Sequence, residues 1–458
     1  MNLLEIINQF VWGMPALLLI VGVGVFLTVL TGFPQLRYFP KALKHFWRSI
    51  RSNRSDGSHS QKKALFTALA ATVGTGNIIG VAGAIILGGP GAVFWMWICA
   101  FLGMATKFAE ATLAVRYRKK DNTGACTGGP MYMIKSGLGR RWNWLAVCYC
   151  IFGLVASFGV GNATQVNACI TGVNALFLFA GIEQTYLGNL IIGGLIAVAV
   201  AAVLFGGAKR IGEVAESLVP FAAVAYILLC VTALILNYTR IPTAFALIVK
   251  GAFSPKAATG GMLGSAFCAL RVGASRGTFT NEAGMGTASI AHANADVSHP
   301  AEQGLMGIVE VFLDTICICT LTALVILCSE IRISYGVSGD GSLTADAFVN
   351  CLGEWTAIPL ALSVICFGIA TIFGWSLYGG RCAQFLFGDD SWKWYALVQT
   401  AITALSAAAG SETVWLFSEI LNGLMAVPNL IALVLLSPEL KRLINTYCIG
   451  NNLTKGTF

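Results

Sequence analysis

Stretches of about 20 mainly apolar residues, the length one helix needs to cross a bilayer, recur along this whole chain with short polar joints between them. They fall at 11–31, 65–88, 91–115, 143–163, 188–206, 212–237, 261–291, 304–329, 355–379, 393–410 and 413–436. That makes about eleven helices, and it fixes lipid as the solvent. Composition agrees: 56% of residues are hydrophobic and 11% charged, against about 25% charged in soluble domains. The expected fold class is an all-α polytopic membrane protein.

Charge is informative through its placement. The net +8 is concentrated in particular joints: Arg37, Lys41, Lys44, Arg48, Arg51, Arg54, Lys62 and Lys63 in the first, and Arg116, Arg118, Lys119, Lys120, Lys135, Arg140 and Arg141 in the third. Lys209 and Arg210 mark the fifth joint, and Lys441 and Arg442 follow the last run. The positive-inside rule puts all of these in the cytoplasm. An odd number of spans then leaves the N-terminus outside and the C-terminus cytoplasmic. The opening residues have no basic segment and no small-residue cleavage site, so they do not read as a cleaved signal peptide. Most of the fourteen cysteines, such as Cys99, Cys148, Cys150, Cys317 and Cys319, sit within apolar runs and read as small packing residues rather than disulfide or zinc ligands. No soluble basic domain exists that would bind nucleic acid.

Two runs carry polar, glycine-rich interruptions: TVGTGN at 72–77, and ALRVGASRGTFTNEAGMGTASIAHA at 269–293. Each begins a group of five runs. Interrupted segments at matching places in two halves point to an inverted-repeat secondary transporter. Because five is odd, the second group starts from the opposite side of the membrane, and the run at 11–31 is an extra helix. The expected organisation is 1–64 for that helix and a basic loop, 65–237 for the first repeat, and 238–260 for an extracellular connection. The second repeat follows at 261–436, and 437–458 is a cytoplasmic tail.

A broken membrane helix leaves backbone groups without partners, so the broken stretch must line a cavity or bind something. Glycine permits the dihedrals and a close approach to a ligand. The helix restarting near Gly76 and Asn77 presents its positive end, which suits a carboxylate. Carbonyls released just before it, around Ala70 and Val73, suit a hard monovalent cation. Tight helix packing through small residues is the competing explanation of such glycines, and the neighbouring threonines and asparagine argue against it.

The segments TVGTGNIIGVAGAI, GGPGAVFWMWICAFLGMATKFAEATLAVRYR, GGPMYMIKSGLG, RGTFTNEAGMGTA and IFGWSLYGGR, in this order from about residue 60 to about 385, resemble the alanine or glycine:cation symporter family of bacteria and archaea. The resemblance implies a sodium-coupled, less often proton-coupled, carrier of small neutral amino acids in the plasma membrane. It also implies a leucine-transporter-type five-plus-five inverted repeat with one extra N-terminal helix, working by alternating access. Carried onto this chain, it gives Thr75, Gly76, Asn77, Gln165, Gly277, Asn281 and Trp375 to the substrate. Ala70, Val73 and Thr371 go to sodium as the coupling ion. The family commonly has a Ser-Thr pair where this chain has Ala370 and Thr371, which removes one oxygen ligand. No cofactor and no obligate protein partner is implied beyond amino acid, Na+ and lipid.

Other polar residues within the runs need accounts. Glu282 is costly in a membrane unless paired or wet, and Arg271 and Arg276 are its nearest expected partners, with proton coupling as the second reading. Lys107 and Glu110, three residues apart, read as a local pair and snorkelling anchor near the cytoplasmic end. Asp314 has no partner evident in sequence. His45, His59, His292 and His299 lie in or near cytoplasmic joints and carry no catalytic assignment. No cluster of Asp, Glu, His or Ser has the spacing of an enzyme site, and two inverted halves in one chain fit a moving carrier better than a channel.

Overall fold

The computed structural model describes residues 7–8, 10–51, 57–120, 126–253, 266–336, 342–408 and 411–450. The expected connection at 254–260, the start of the run at 261–265, the tail at 451–458 and Arg54 lie outside the described residues. Helix α1 is Met14–Leu30, α2 Phe39–Arg51, α3 Gly57–Thr72, α4 Ile79–Gly88 and α5 Gly91–Arg116. Then come α6 Asn143–Phe158, α7 Thr164–Phe179, α8 Tyr186–Leu204, α9 Gly207–Leu236 and α10 Ile241–Phe253. The remainder is α11 Ala266–Asn281, α12 Thr287–His292, α13 Pro300–Val311, α14 Thr320–Cys328, α15 Leu343–Leu352, α16 Ala357–Phe387, α17 Ser391–Ser406, α18 Ser411–Leu435 and α19 Ser437–Gly450. A short hairpin of β1 (Lys119–Lys120) and β2 (Cys126–Thr127) is the described sheet.

Among the described residues six helical stretches are long and apolar enough to cross a membrane: Gly91–Arg116, Arg140–Phe179, Tyr186–Leu204, Gly207–Leu236, Pro300–Cys328 and Glu354–Phe387. Two bent pairs extend this to eight, Ser60–Thr72 with Thr75–Gly88 at 57° and Glu419–Leu435 with Ser437–Ile449 at 60°. The expected runs at 11–31 and 393–410 are held by the shorter helices α1 and α17, and the run at 261–291 by the interrupted pair α11 and α12. The run expected to end at 163 continues to Phe179, because a π-helical turn at Gly159–Ala163 joins α6 to α7 and carries the polar patch through the helix. Helices α2, α10 and α15, outside the apolar runs, are too short to cross a membrane singly.

Two helices organise the packing. Helix α5 is flanked by α1, α10, α11 and α13, and α16 by α6, α7, α9 and α17. The first interrupted helix joins the two groups: α3 packs on α9 and α16, and α4 on α5 and α11. Close approach depends on missing side chains. A Cβ on Gly307 would stand 2.9 Å from the Lys107 carbonyl oxygen, so only glycine lets α13 lie this near α5.

Candidate functional site

The first break begins where Gly74 adopts an extended backbone. Its N–H donates to Asn77 Oδ1 at 2.9 Å. The Asn77 N–H donates to the Gly74 carbonyl at 3.1 Å, closing a single 3-10 turn before α4. In an unbroken helix the amides at 74 and 77 would cap the carbonyls of Ala70 and Val73. Both carbonyls therefore lose their helical donors. Helix α16 presses on this point: a Cβ on Gly74 would lie 2.5 Å from Thr371 Oγ1. That hydroxyl is buried and has no hydrogen-bond partner. Two freed carbonyls and an orphaned hydroxyl, all on buried residues, are oxygen donors of the kind a hard cation takes.

Thr75 Oγ1 donates to Gln165 Oε1 at 2.8 Å, and Gln165 Nε2 donates to the Val160 carbonyl of the π-helical turn at 3.1 Å. Gln165 thus ties α7 to the break. Trp375 is fully buried, packs edge-on to Tyr378 with ring centroids 5.8 Å apart, and sits beside the Glu282 carboxylate. A Cβ on Gly161 would fall 2.2 Å from Trp375 Cβ, so the glycine of the π-helical turn makes room for the indole.

The second break spans Glu282 to Gly286, with positive φ at Glu282 (53°), Gly284 (95°) and Gly286 (79°). The two glycines take this conformation freely, while a non-glycine residue pays roughly 1–2 kcal/mol. The breaks face each other, since the position of a Cβ on Gly76 is 3.9 Å from Thr280 Oγ1. Asn281 caps the second break by accepting from the Ala283 N–H at 3.0 Å and donates to Thr315 Oγ1 at 3.2 Å. Thr315 Oγ1 donates to Asp314 Oδ2 at 2.7 Å, and Asn77 Nδ2 donates to Asp314 Oδ1 at 2.6 Å. Asp314 therefore joins one break to the other. Gly277, expected at the substrate, instead packs on α5, where a Cβ would come 3.1 Å from Met96 Cα. Its lack of a side chain serves helix packing.

Three sequence expectations are corrected here. Lys107 and Glu110 are both fully buried and do not form a local pair: Lys107 Nζ lies 3.0 Å from Glu310 Oε1 on α13. Glu110 Oε1 accepts from the N–H groups of Gly284 and Gly286 at 2.9 and 3.1 Å and from Asn429 Nδ2 at 2.7 Å. Unwound amides attract the carboxylate more effectively than an ammonium that already faces another acid. Glu282 does not pair with Arg271 or Arg276; it accepts from Thr287 Oγ1 at 2.6 Å, and Arg276 pairs with Glu419 at 2.9 Å. The break turns the chain between those positions. His292, read as a residue of a cytoplasmic joint, is buried 2.7 Å from Glu310 Oε2 with its other ring nitrogen 2.7 Å from Gln303 Nε2.

Glu310 and Asn429 were missed. Glu310 carried a usable signal, an acid beside Asp314 in the apolar run 304–329. Asn429 carried none beyond its polarity.

The family model described as the sodium:alanine symporter family matches residues 1–455 of the chain. The chain belongs to the sodium:alanine symporter family. It is 41% identical to the sodium/alanine symporter AgcS of Methanococcus maripaludis over 95% of this chain and 94% of that protein. It is 38% identical to the probable sodium/glutamine symporter GlnT of Bacillus subtilis, over 95% of this chain and 88% of that protein. Among solved structures, MhsT in complex with L-phenylalanine matches at a TM-score of 0.57 and 14% identity, covering 84% of this chain and 97% of that one. A Na+-coupled sialic acid symporter matches at 0.54 and 10% identity, covering 93% and 98%. At these identities the structures speak to the fold alone. The family is one of multi-pass membrane transporters rather than enzymes.

Proposed function

We propose that this member of the sodium:alanine symporter family couples inward sodium movement to uptake of small neutral amino acids by alternating access. The observation that carries the proposal is the first break, where the carbonyls of Ala70 and Val73 lose their helical donors beside the orphaned Thr371 hydroxyl. Sodium binds there and holds α3 against α16. The amino-acid carboxylate docks on the positive end at Thr75, Gly76 and Asn77, within reach of Gln165. Trp375 closes the pocket and keeps it small. Asn281, from the facing break, fixes the far wall.

Occupation of both sites lets the outer side close and the inner side open, with residues 65–237 and 261–436 moving as two inverted repeats. In this reading the extra helix at 1–64 and the tail at 437–458 flank the repeats, the N-terminus is outside, and the basic joints are cytoplasmic in a bacterial or archaeal plasma membrane. The relatives named for sodium, alanine and glutamine support the substrate class.

Reconstituted protein is expected to accumulate labelled alanine above equilibrium when sodium is high outside, and not when potassium replaces it. Equilibration without accumulation would indicate a uniporter or channel. Accumulation driven by a proton gradient alone would move the coupling to Glu282 or Asp314. Gly76→Ala is expected to reduce uptake at least tenfold with normal membrane insertion. An added Cβ meets nothing closer than 3.9 Å in the protein, so a loss reports on the substrate and not on the fold.

A further inference from the structure

Helix α2 follows α1 after a short connection, and no acid occurs between Phe33 and Arg51. Its residues sort into parallel stripes, each running i, i+4, i+7 along the helix and each turned about 100° from the one before. Ala42, Phe46 and Ser49 are buried, on a helix that packs against α13 and α3. Leu43, Trp47 and Ile50 come next: Trp47 is 55% exposed, and Leu43 and Ile50 are half-buried. Lys44, Arg48 and Arg51 follow. All three are exposed, and none makes an ion pair or hydrogen bond among the described residues. Lys41, by contrast, is used within the protein, its ammonium 4.3 Å from the centre of the Tyr447 ring.

A helix that faced only water would have no reason to set Leu43, Trp47 and Ile50 beside its cations. Adjacent apolar and cationic stripes suit a helix lying in the bilayer interface, with the indole and aliphatic chains at the acyl boundary and the charged heads among the phosphates. The connection to α1 keeps α2 at that level. Gln35 Nε2 donates to Thr28 Oγ1 at 3.2 Å, and the Phe33 N–H donates to the Thr28 carbonyl at 2.9 Å, so the chain folds back onto the end of α1. Phe33 and Leu36, exposed in the same connection, extend the apolar side.

With cations unopposed by any acid on this face, the complementary headgroup is one of net negative charge. We propose that the outer face of α2 is a docking surface for anionic phospholipid, with the phosphates on Lys44, Arg48 and Arg51 and an acyl chain against Trp47. On the inner side His45 hydrogen-bonds Gln61 of α3, so lipid held by α2 steadies the start of the first interrupted helix. This surface is independent of the symport reading.

Fluorescence of the full-length protein in phosphatidylcholine vesicles tests this, with brominated phosphatidylglycerol or brominated phosphatidylcholine added as contact quencher. The Trp47 signal is the difference between each protein and its own Trp47→Phe counterpart. Brominated phosphatidylglycerol is expected to halve that signal at a several-fold lower mole fraction than brominated phosphatidylcholine, since each basic residue beside an anionic surface strengthens the attraction about fivefold. Lys44→Gln combined with Arg48→Gln and Arg51→Gln should make the two lipids equal, and the exposure of all three side chains leaves the fold intact. Lys119→Gln combined with Lys120→Gln and Arg141→Gln removes the same charge from exposed positions elsewhere and should keep the preference. Glycerol phosphate in the buffer should leave it unchanged; its loss there would assign the cations to a free phosphate and overturn the lipid. A Trp47 signal that neither lipid quenches, a preference that survives in the α2 variant, or one lost equally in the control would overturn the docking surface.

Discussion

Thr371 is the residue at which a local defect and the proposed function meet. Its hydroxyl makes no hydrogen bond in the protein, so Thr371→Val should leave the thermal midpoint within about a degree or two of wild type. If sodium takes that oxygen, losing one charged contact costs about 1.5–3 kcal/mol. The sodium concentration for half-maximal uptake should then rise roughly ten- to a hundredfold; an unchanged sodium dependence would remove Thr371 from the site. Lys107 shows the opposite balance. Both it and Glu310 are fully buried, and removing one partner of such a pair costs about 3–5 kcal/mol. Lys107→Met should be strongly destabilised in detergent thermal melts, and Lys107→Met combined with Glu310→Leu should recover most of the loss. Sequence placed Lys107 and Glu110 on one helix face correctly. It could not name their partners, because those lie about 175 to 320 residues away in the chain at Gly284, Glu310 and Asn429 for reasons of packing alone.

At the scale of elements, the second break is held by a side chain from another helix. One Glu110 oxygen gathers two backbone amides and the Asn429 amide, and Asn429 also donates to the Gly284 carbonyl at 2.9 Å. Charged acceptors of this kind contribute about 1.5–3 kcal/mol per bond. Glu110→Ala is expected to speed hydrogen exchange at 282–286 by at least tenfold, and Glu110→Gln, which keeps one acceptor oxygen, by less. Equal protection in both variants would mean that the glycines alone set the break. The existence of each break was legible from glycine and threonine inside apolar runs. Its geometry was not. The Asn77 side chain spans its own break and Asp314, which lies in the π-helical stretch at Phe312–Cys319.

At the scale of the whole molecule, a neutral zwitterion carried with one sodium moves one net charge. An inside-negative potential contributes about 2.3 kcal/mol per charge per 100 mV. A potassium diffusion potential of that size should therefore raise the accumulation ratio of alanine roughly fiftyfold; insensitivity to potential would require a compensating charge, and Asp314 and Glu282 are the residues to test for it. By itself the sequence determined the lipid solvent, the helical class and the location of the two interruptions. Those follow from local properties, since a run of apolar residues must be helical in hydrocarbon and glycine marks where the helix gives way. Only the tertiary structure decided which polar groups meet: Glu110 with the second break, Asp314 with both breaks, Thr371 with the first, and Arg276 with Glu419. Pairing among buried polar groups depends on how closely helices approach, and that is set by small residues such as Gly74, Gly161 and Gly307.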